Sequence, residues 1–160
     1  MDAPILSTLM YVIDGDHVLM LHRIKKHQDI NAGKWIGIGG KNERGESFDA
    51  CVKRECYEET GLTIDAMTPK GMLTFISDDY LEYIMVFTST AFTGSINRCC
   101  DEGVLQWVAI DSIASLELWQ GDRYFLPKLF EDGPFFNMTL IYHHDELKHV
   151  ECDGSILMDR

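Results

Sequence analysis

Between Gly40 and Leu62 the chain reads GKNERGESFDACVKRECYEETGL, and no other stretch limits the fold as strongly, because its acids face the wrong way for an ordinary surface helix. Ser47 is a favourable N-cap and Gly61 a favourable C-terminal stop, so one helix is predicted between them. At about 100° per residue, Glu55 and Glu59 fall within roughly 20° of Phe48, with Val52 close by and Glu58 nearer Cys51. Asp49, Lys53, Tyr57 and Thr60 are left for the outward side. One face of the helix thus starts apolar and ends as a group of carboxylates.

Three ionised carboxylates half-buried within a turn of one another are costly unless positive charge joins them. Arg54 alone does not neutralise all three. Hard divalent cations with oxygen ligands are the natural partner, and Mg²⁺, with Mn²⁺ as the alternative, completes its shell with water and substrate phosphates. A phosphate-bearing small molecule is the substrate this implies. The plain alternative is a solvated acidic helix end, and the face shared with Phe48 and Val52 argues against it.

Charge narrows the partners further. With 26 acidic against 14 basic side chains in 160 residues, the net charge of -12 opposes binding to a nucleic-acid polymer, whose phosphates need a basic surface. A free nucleotide is still admitted, since a bound metal supplies local positive charge. The length suits one domain over residues 1–160. No apolar run approaches the roughly 20 residues that span a bilayer, and Ile5 to Ile13 lacks the basic start of a signal peptide. Cys51, Cys56, Cys99, Cys100 and Cys152 form no metal-type pair and point to a reducing, cytoplasmic setting.

Strands are expected at Ile5–Ile13 and Val18–His22 around the turn Asp14-Gly15-Asp16, at Trp35–Gly40, at Leu62–Phe75 and Tyr83–Phe92 around Ser77-Asp78-Asp79, and at Val104–Ile110. Lys25–Lys34 is a polar loop, Asp111–Leu116 a short helix, and Asp122–Phe130 a second amphipathic helix that Pro127 is expected to restrict or bend. Phe135–Tyr142 and Glu146–Cys152 form a closing hairpin through His143-His144-Asp145. Mainly antiparallel strands with separated helices argue for an α+β fold.

Gly40, Glu46, Arg54, Glu55, Glu58, Glu59 and Gly61 fill every fixed position of the Nudix box, which the segment resembles. Cys56 is a mild departure where a bulkier aliphatic residue is usual. WIGIGGK before the box, DEG at 101–103 followed by Trp107, and LWQGDRYFLP near the C-terminus are similar to the MutT group, which removes oxidised purine nucleoside triphosphates. The resemblance implies an α/β/α sandwich with a mixed sheet between helices. It further implies Glu55 as metal ligand or general base, Glu58 and Glu59 as ligands, Gly39 as a carbonyl ligand, and Glu102 as a further carboxylate. Arg54 is then the residue that orients the glutamates, and Glu46 ties the loop to the helix start.

Arg23, Lys25, Lys26, Lys34 and Lys41 are candidates to grip phosphates, Arg23 foremost. Phe75, Trp119 and Asp122 match base-pocket positions of the same relatives. Ile36 and Gly121 replace an Asn and an acid that those relatives use. Three functions follow from the resemblance and its departures: a triphosphate pyrophosphohydrolase for oxidised purines such as 8-oxo-dGTP, a hydrolase of another nucleoside diphosphate derivative (ADP-ribose, a dinucleotide or a sugar nucleotide), or a non-catalytic nucleotide-sensing module. His143 and His144 sit in an expected turn and are read as solvent-exposed.

Overall fold

The computed structural model describes residues 3–25, 30–96 and 101–160; Lys26, Cys99 and Cys100 lie outside them. The elements run β1 (Ile5–Asp14), β2 (His17–His22), β3 (Trp35–Ile36), β4 (Ile38–Lys41), α1 (Phe48–Thr60), β5 (Thr63–Ser77), β6 (Tyr80–Thr93), β7 (Val104–Ala109), a 3-10 segment Ile110–Ser115, α2 (Asp122–Leu129), β8 (Phe136–His143), β9 (Glu146–Cys152) and β10 (Ser155–Asp159).

Side-chain alternation along the central strands sets the layers. Successive residues of a strand point to opposite faces. Met10 and Val12 of β1 and Phe87 of β6 pack with Val52 and Cys56 of α1. Tyr11 of β1 and Val86 of β6 pack with Phe125, Leu126 and Leu129 of α2. The sheet is therefore covered by one helix on each face. Its strand order is β10-β9-β8-β5-β6-β1-β2-β3, with β4 on β1 and β7 on β2. β1 with β6 and β5 with β8 are parallel, whereas the other pairs are antiparallel. This is the mixed sheet of an α+β fold. No α-helix among the described residues is long and apolar enough to cross a membrane.

Local chemistry explains where α1 starts and stops. Ser47 Oγ accepts a hydrogen bond from the Ala50 N–H at 3.0 Å, and Gly61 closes the helix at φ 81°, its N–H reaching the Tyr57 carbonyl. A left-handed residue here strongly favours glycine. Thr60 corrects the outward assignment: it is fully buried. Its hydroxyl donates to the Cys56 carbonyl at 2.6 Å and accepts from the Leu62 N–H at 3.0 Å, so the last turn bends inward where the chain enters β5.

Three other expectations change. The single strand predicted over Trp35–Gly40 divides in two: β3 pairs with β2, β4 pairs with β1, and Gly37 between them lies so close to the Tyr11 ring that a Cβ would stand 2.8 Å from it. The segment after β7 is 3-10. Pro127 leaves α2 intact through Leu129, because a proline near the end of a short helix removes only one internal N–H. β10 was not expected at all; it pairs with β9 after a tight turn in which Asp153 and Gly154 both have positive φ.

Candidate active site

α1 supplies the charged wall, and Arg54 organises it. Its Nε and Nη2 donate to the two oxygens of Glu46 at 2.7 and 2.9 Å, a bidentate pair. Nη1 donates to Glu55 at 2.9 Å and to Glu58 at 3.3 Å. Glu46 also accepts from the Glu43 N–H at 3.0 Å, and the Asn42 side chain donates to the Glu46 carbonyl, which fastens the loop onto the helix. The Arg54 hydrogen bond holds the Glu46 carboxyl down at about 2, helped by the Glu43 N–H. The same contact makes Arg54 still harder to deprotonate.

Glu55 behaves oppositely. Burial raises its pKa above the ordinary carboxylate value; Arg54 counteracts, and the like charges of Glu58 and Glu102 add to the rise. Gly40 makes room for it, since a Cβ there would stand 2.4 Å from the Glu55 Cδ. Gly39 is equally constrained, with a hypothetical Cβ 1.8 Å from the Thr8 carbonyl oxygen. Glu102 reaches the same wall from the segment before β7 and accepts from Arg23 Nη1 at 2.8 Å, Arg23 standing just past the end of β2. Arg23 is thereby aimed into the site by a carboxylate.

A cleft of about 550 Å³ joins this wall to an aromatic end, lined by Arg23, Gly39, Glu55 and Glu102 on one side and by Phe75, Trp119 and Asp122 on the other. Of the acids on α1, Glu55 alone lines it. Glu58 is more than half exposed, and Glu59 is buried at the end of the helix. Lys41 lines the cleft as well, and Lys34 Nζ lies 4.9 Å from the Trp119 ring centre, a cation over an aromatic face.

At the aromatic end Trp119 meets Phe75 edge-on at 5.3 Å and Tyr142 at 5.1 Å. Its Nε1–H donates to Asn31 Oδ1 at 2.7 Å, which fixes the indole plane. Trp119 is both core and cleft wall. Asp122, at the start of α2, is partly accessible through the opening yet walled in densely enough that desolvation raises its carboxyl to about 8, against the lowering effects of Arg123, Lys34 and the Trp119 backbone N–H. Gly121 shows why no acid precedes it. Its N–H donates to Tyr142 Oη at 2.7 Å, and a Cβ would meet that oxygen at 2.7 Å and Leu140 at 2.9 Å.

Sequence reasoning missed Ser7, Asn31, Tyr80 and Glu82, all of which line the cleft. A glutamate in the apolar stretch YLEYIMVF was the available signal. His143 and His144 are exposed as expected, but a third group joins them: Asp78 accepts from His143 Nδ1 at 2.7 Å and from the His144 N–H at 3.3 Å. The ligand atoms of these three lie within 4.8 Å of one another. Asp78 serves there as the acceptor that staples the β8–β9 turn, in which His144 and Asp145 have φ of 49° and 65°.

The donors around Glu55 suit a hard divalent ion. Glu55, Glu102 and the backbone at Gly39 offer oxygen only, with Glu58 and Glu59 further along the helix, and no thiol or imidazole intrudes among the cleft-lining residues. The like-charge repulsion of Glu58 and Glu102 felt by Glu55 is what a cation would relieve.

Comparisons with known proteins bear on the family and the fold. The NUDIX domain family profile matches residues 4–129. An oxidized purine nucleoside triphosphate hydrolase of Danio rerio is 30% identical over 150 residues, covering 92% of this chain and 94% of its own. Its namesake in Mus musculus is 31% identical over 132 residues, covering 81% and 82%. The crystal structure of a mutator MutT protein from Bacillus halodurans superposes with a TM-score of 0.84 at 30% identity, over 93% of this chain and 97% of that one. With the box on α1, the mixed sheet around it and these likenesses over most of its length, the chain belongs to the Nudix family and is a Nudix hydrolase.

Proposed function

We propose that the protein is a Mg²⁺-dependent nucleoside triphosphate pyrophosphohydrolase, with Mn²⁺ as a substitute, that acts on oxidised purine nucleotides such as 8-oxo-dGTP and releases the monophosphate and pyrophosphate. The observation that carries this is the continuity of one cleft from Glu55, Glu102 and Arg23 to Phe75, Trp119 and Asp122. Its volume, about 550 Å³, is within the range of small-molecule sites. Similarity to two hydrolases named for oxidized purine nucleoside triphosphates supports the substrate class.

Glu55, Glu58, Glu59, Glu102 and the Gly39 carbonyl are the proposed holders of the metal. When bound, Mg²⁺ supplies charge neutralisation on the phosphate oxygens and acidifies water. Glu55 is the proposed group that takes a proton from the attacking water. Arg54 positions Glu55, while Arg23 contacts a phosphate oxygen from its anchor on Glu102. Phe75 and Trp119 wall the base and Asp122 hydrogen-bonds its edge. Residues 1–160 act as one domain, since Leu140 of β8 also lines the cleft. Buried free thiols at Cys51, Cys56 and Cys152 support a reducing, cytoplasmic setting.

Product analysis tests the reading. Purified protein with Mg²⁺ should convert 8-oxo-dGTP to monophosphate and pyrophosphate with kcat/KM well above that for dGTP, and Glu55→Gln should lower kcat by about two to four orders of magnitude. Equal rates across a panel of triphosphates would reject the sanitising role. Release of two monophosphates from ADP-ribose, with triphosphates untouched, would move the enzyme to diphosphate substrates.

A further inference from the structure

Glu82 enters the same cleft from β6 and has no task in the reading above. In the β5–β6 register it stands directly opposite Phe75, which in turn stands opposite Leu140 of β8. Leu140, Phe75 and Glu82 therefore form a row across one face of the sheet, and all three line the cleft. The Phe75 ring has Trp119 edge-on at 5.3 Å and Tyr80 edge-on at 5.9 Å. A base held against Phe75 and Trp119 would have Glu82 at its rim.

Two hydroxyls set the carboxylate in place. Oε2 accepts from the Ser7 hydroxyl and Oε1 accepts from the Tyr80 hydroxyl. Ser7 is 3% exposed, so the anchor lies inside the protein. Hydroxyl donors orient a carboxylate without neutralising it, and each oxygen keeps a lone pair for a further donor. Two coplanar acceptor oxygens fit two adjacent N–H groups. On a guanine-type base, the ring N1–H and the 2-amino group stand side by side. An adenine-type base has an unprotonated ring nitrogen in that place, whose lone pair would face the carboxylate.

We propose that Glu82, positioned by Ser7 and Tyr80, reads the base and selects a guanine-type donor edge; this rests on the nucleotide reading above and makes its substrate class narrower. Ser7 and Tyr80 are positioning residues in this scheme.

Equilibrium binding of GMP, IMP and AMP to the full chain, followed by tryptophan fluorescence, tests it. IMP keeps N1–H and lacks the amino group. The unmodified protein should bind GMP about 10-fold or more tightly than IMP, with AMP weakest, as expected for a hydrogen bond to a charged group. Glu82→Gln should weaken GMP by about 10- to 100-fold and shrink the GMP:IMP ratio to within about 3-fold, at unchanged Tm. Tyr80→Phe should reduce the same ratio by a smaller factor, and it alone decides if Glu82→Gln does not fold.

Equal or undetectable binding of GMP and IMP by the unmodified protein, or a full GMP preference surviving in the variants, overturns the assignment. Triphosphate hydrolysis without any Glu82-dependent preference keeps the proposed activity and removes this role. A Glu82-dependent GMP preference in a protein that hydrolyses no triphosphate keeps this role and removes that activity.

Discussion

Asp122→Asn separates a proton from the carboxyl group that carries it. In the native cleft Asp122 is raised from 3.8 to about 8, so at neutral pH the side chain is a protonated donor. Below about pH 4 the folded and unfolded chains both hold this proton. Between about 4 and 8 the folded chain keeps a proton that the unfolded chain has released, so stability falls as pH rises. Above about 8 the loss is complete. A carboxyl moved that far corresponds to about 5–6 kcal/mol. Asparagine has the same shape, donates at every pH and carries no such penalty. Urea unfolding at pH 5, 7 and 9 should show Asp122→Asn gaining on the parent protein by about 4 kcal/mol across that range. In kinetics, the parent's kcat/KM should fall above about pH 8 through KM, and its ratio to the variant should carry that fall, since ionisation of the nucleotide cancels. A ratio flat from pH 6 to 9.5, together with a stability difference that ignores pH, would mean that Asp122 is ionised and accepts from the base.

Arg54→Lys should lower kcat by about 10- to 100-fold and stability by about 1–2 kcal/mol, because an ammonium cannot reproduce the bidentate hold on Glu46 while also reaching Glu55. The Arg54 side chain is 24% exposed, which keeps the stability figure modest; thermal unfolding and initial rates would show it, and unchanged values would remove Arg54 from the positioning role. Gly121→Ala should destabilise by about 1–3 kcal/mol through the approach to Tyr142 Oη and Leu140. Gly133→Ala, with nothing within 4 Å of the added carbon, is the matched control and should change Tm little. Equal Tm values for the two would refute the packing account of Gly121.

Much of this arrangement is written locally. Ser47 and Gly61 end α1 where their chemistry says, through the Ala50 and Gly61 N–H groups. The wheel that turned Glu55 and Glu59 toward Phe48 agrees with Glu55 lining the cleft and Glu59 being buried. Both are properties of a single helix, readable from period and caps. Thr60 escaped the wheel because the last turn answers to the chain beyond it, through the bond to the Leu62 N–H.

What stayed hidden depends on partners distant in sequence. Nothing within Trp35–Gly40 says that Ile36 pairs across to Leu21 while Ile38 pairs across to Met10. Gly121 read as a missing acid until Tyr142, 21 residues later, occupied the space. Glu82 lies just outside the strand expected at Tyr83–Phe92, and only the register sets it opposite Phe75 and beside Ser7, 75 residues earlier. The division follows the chemistry. The phosphate end is built mostly on one helix and its preceding loop, where spacing alone gathers the acids. The base end is assembled from β1, β5, β6, β8 and the start of α2, so its specificity is a property of strand register. Substitutions that redirect which base is chosen should therefore fall on Ser7, Tyr80, Glu82 and Asp122, outside the stretch that identifies the family, and should leave the metal dependence of turnover as it was.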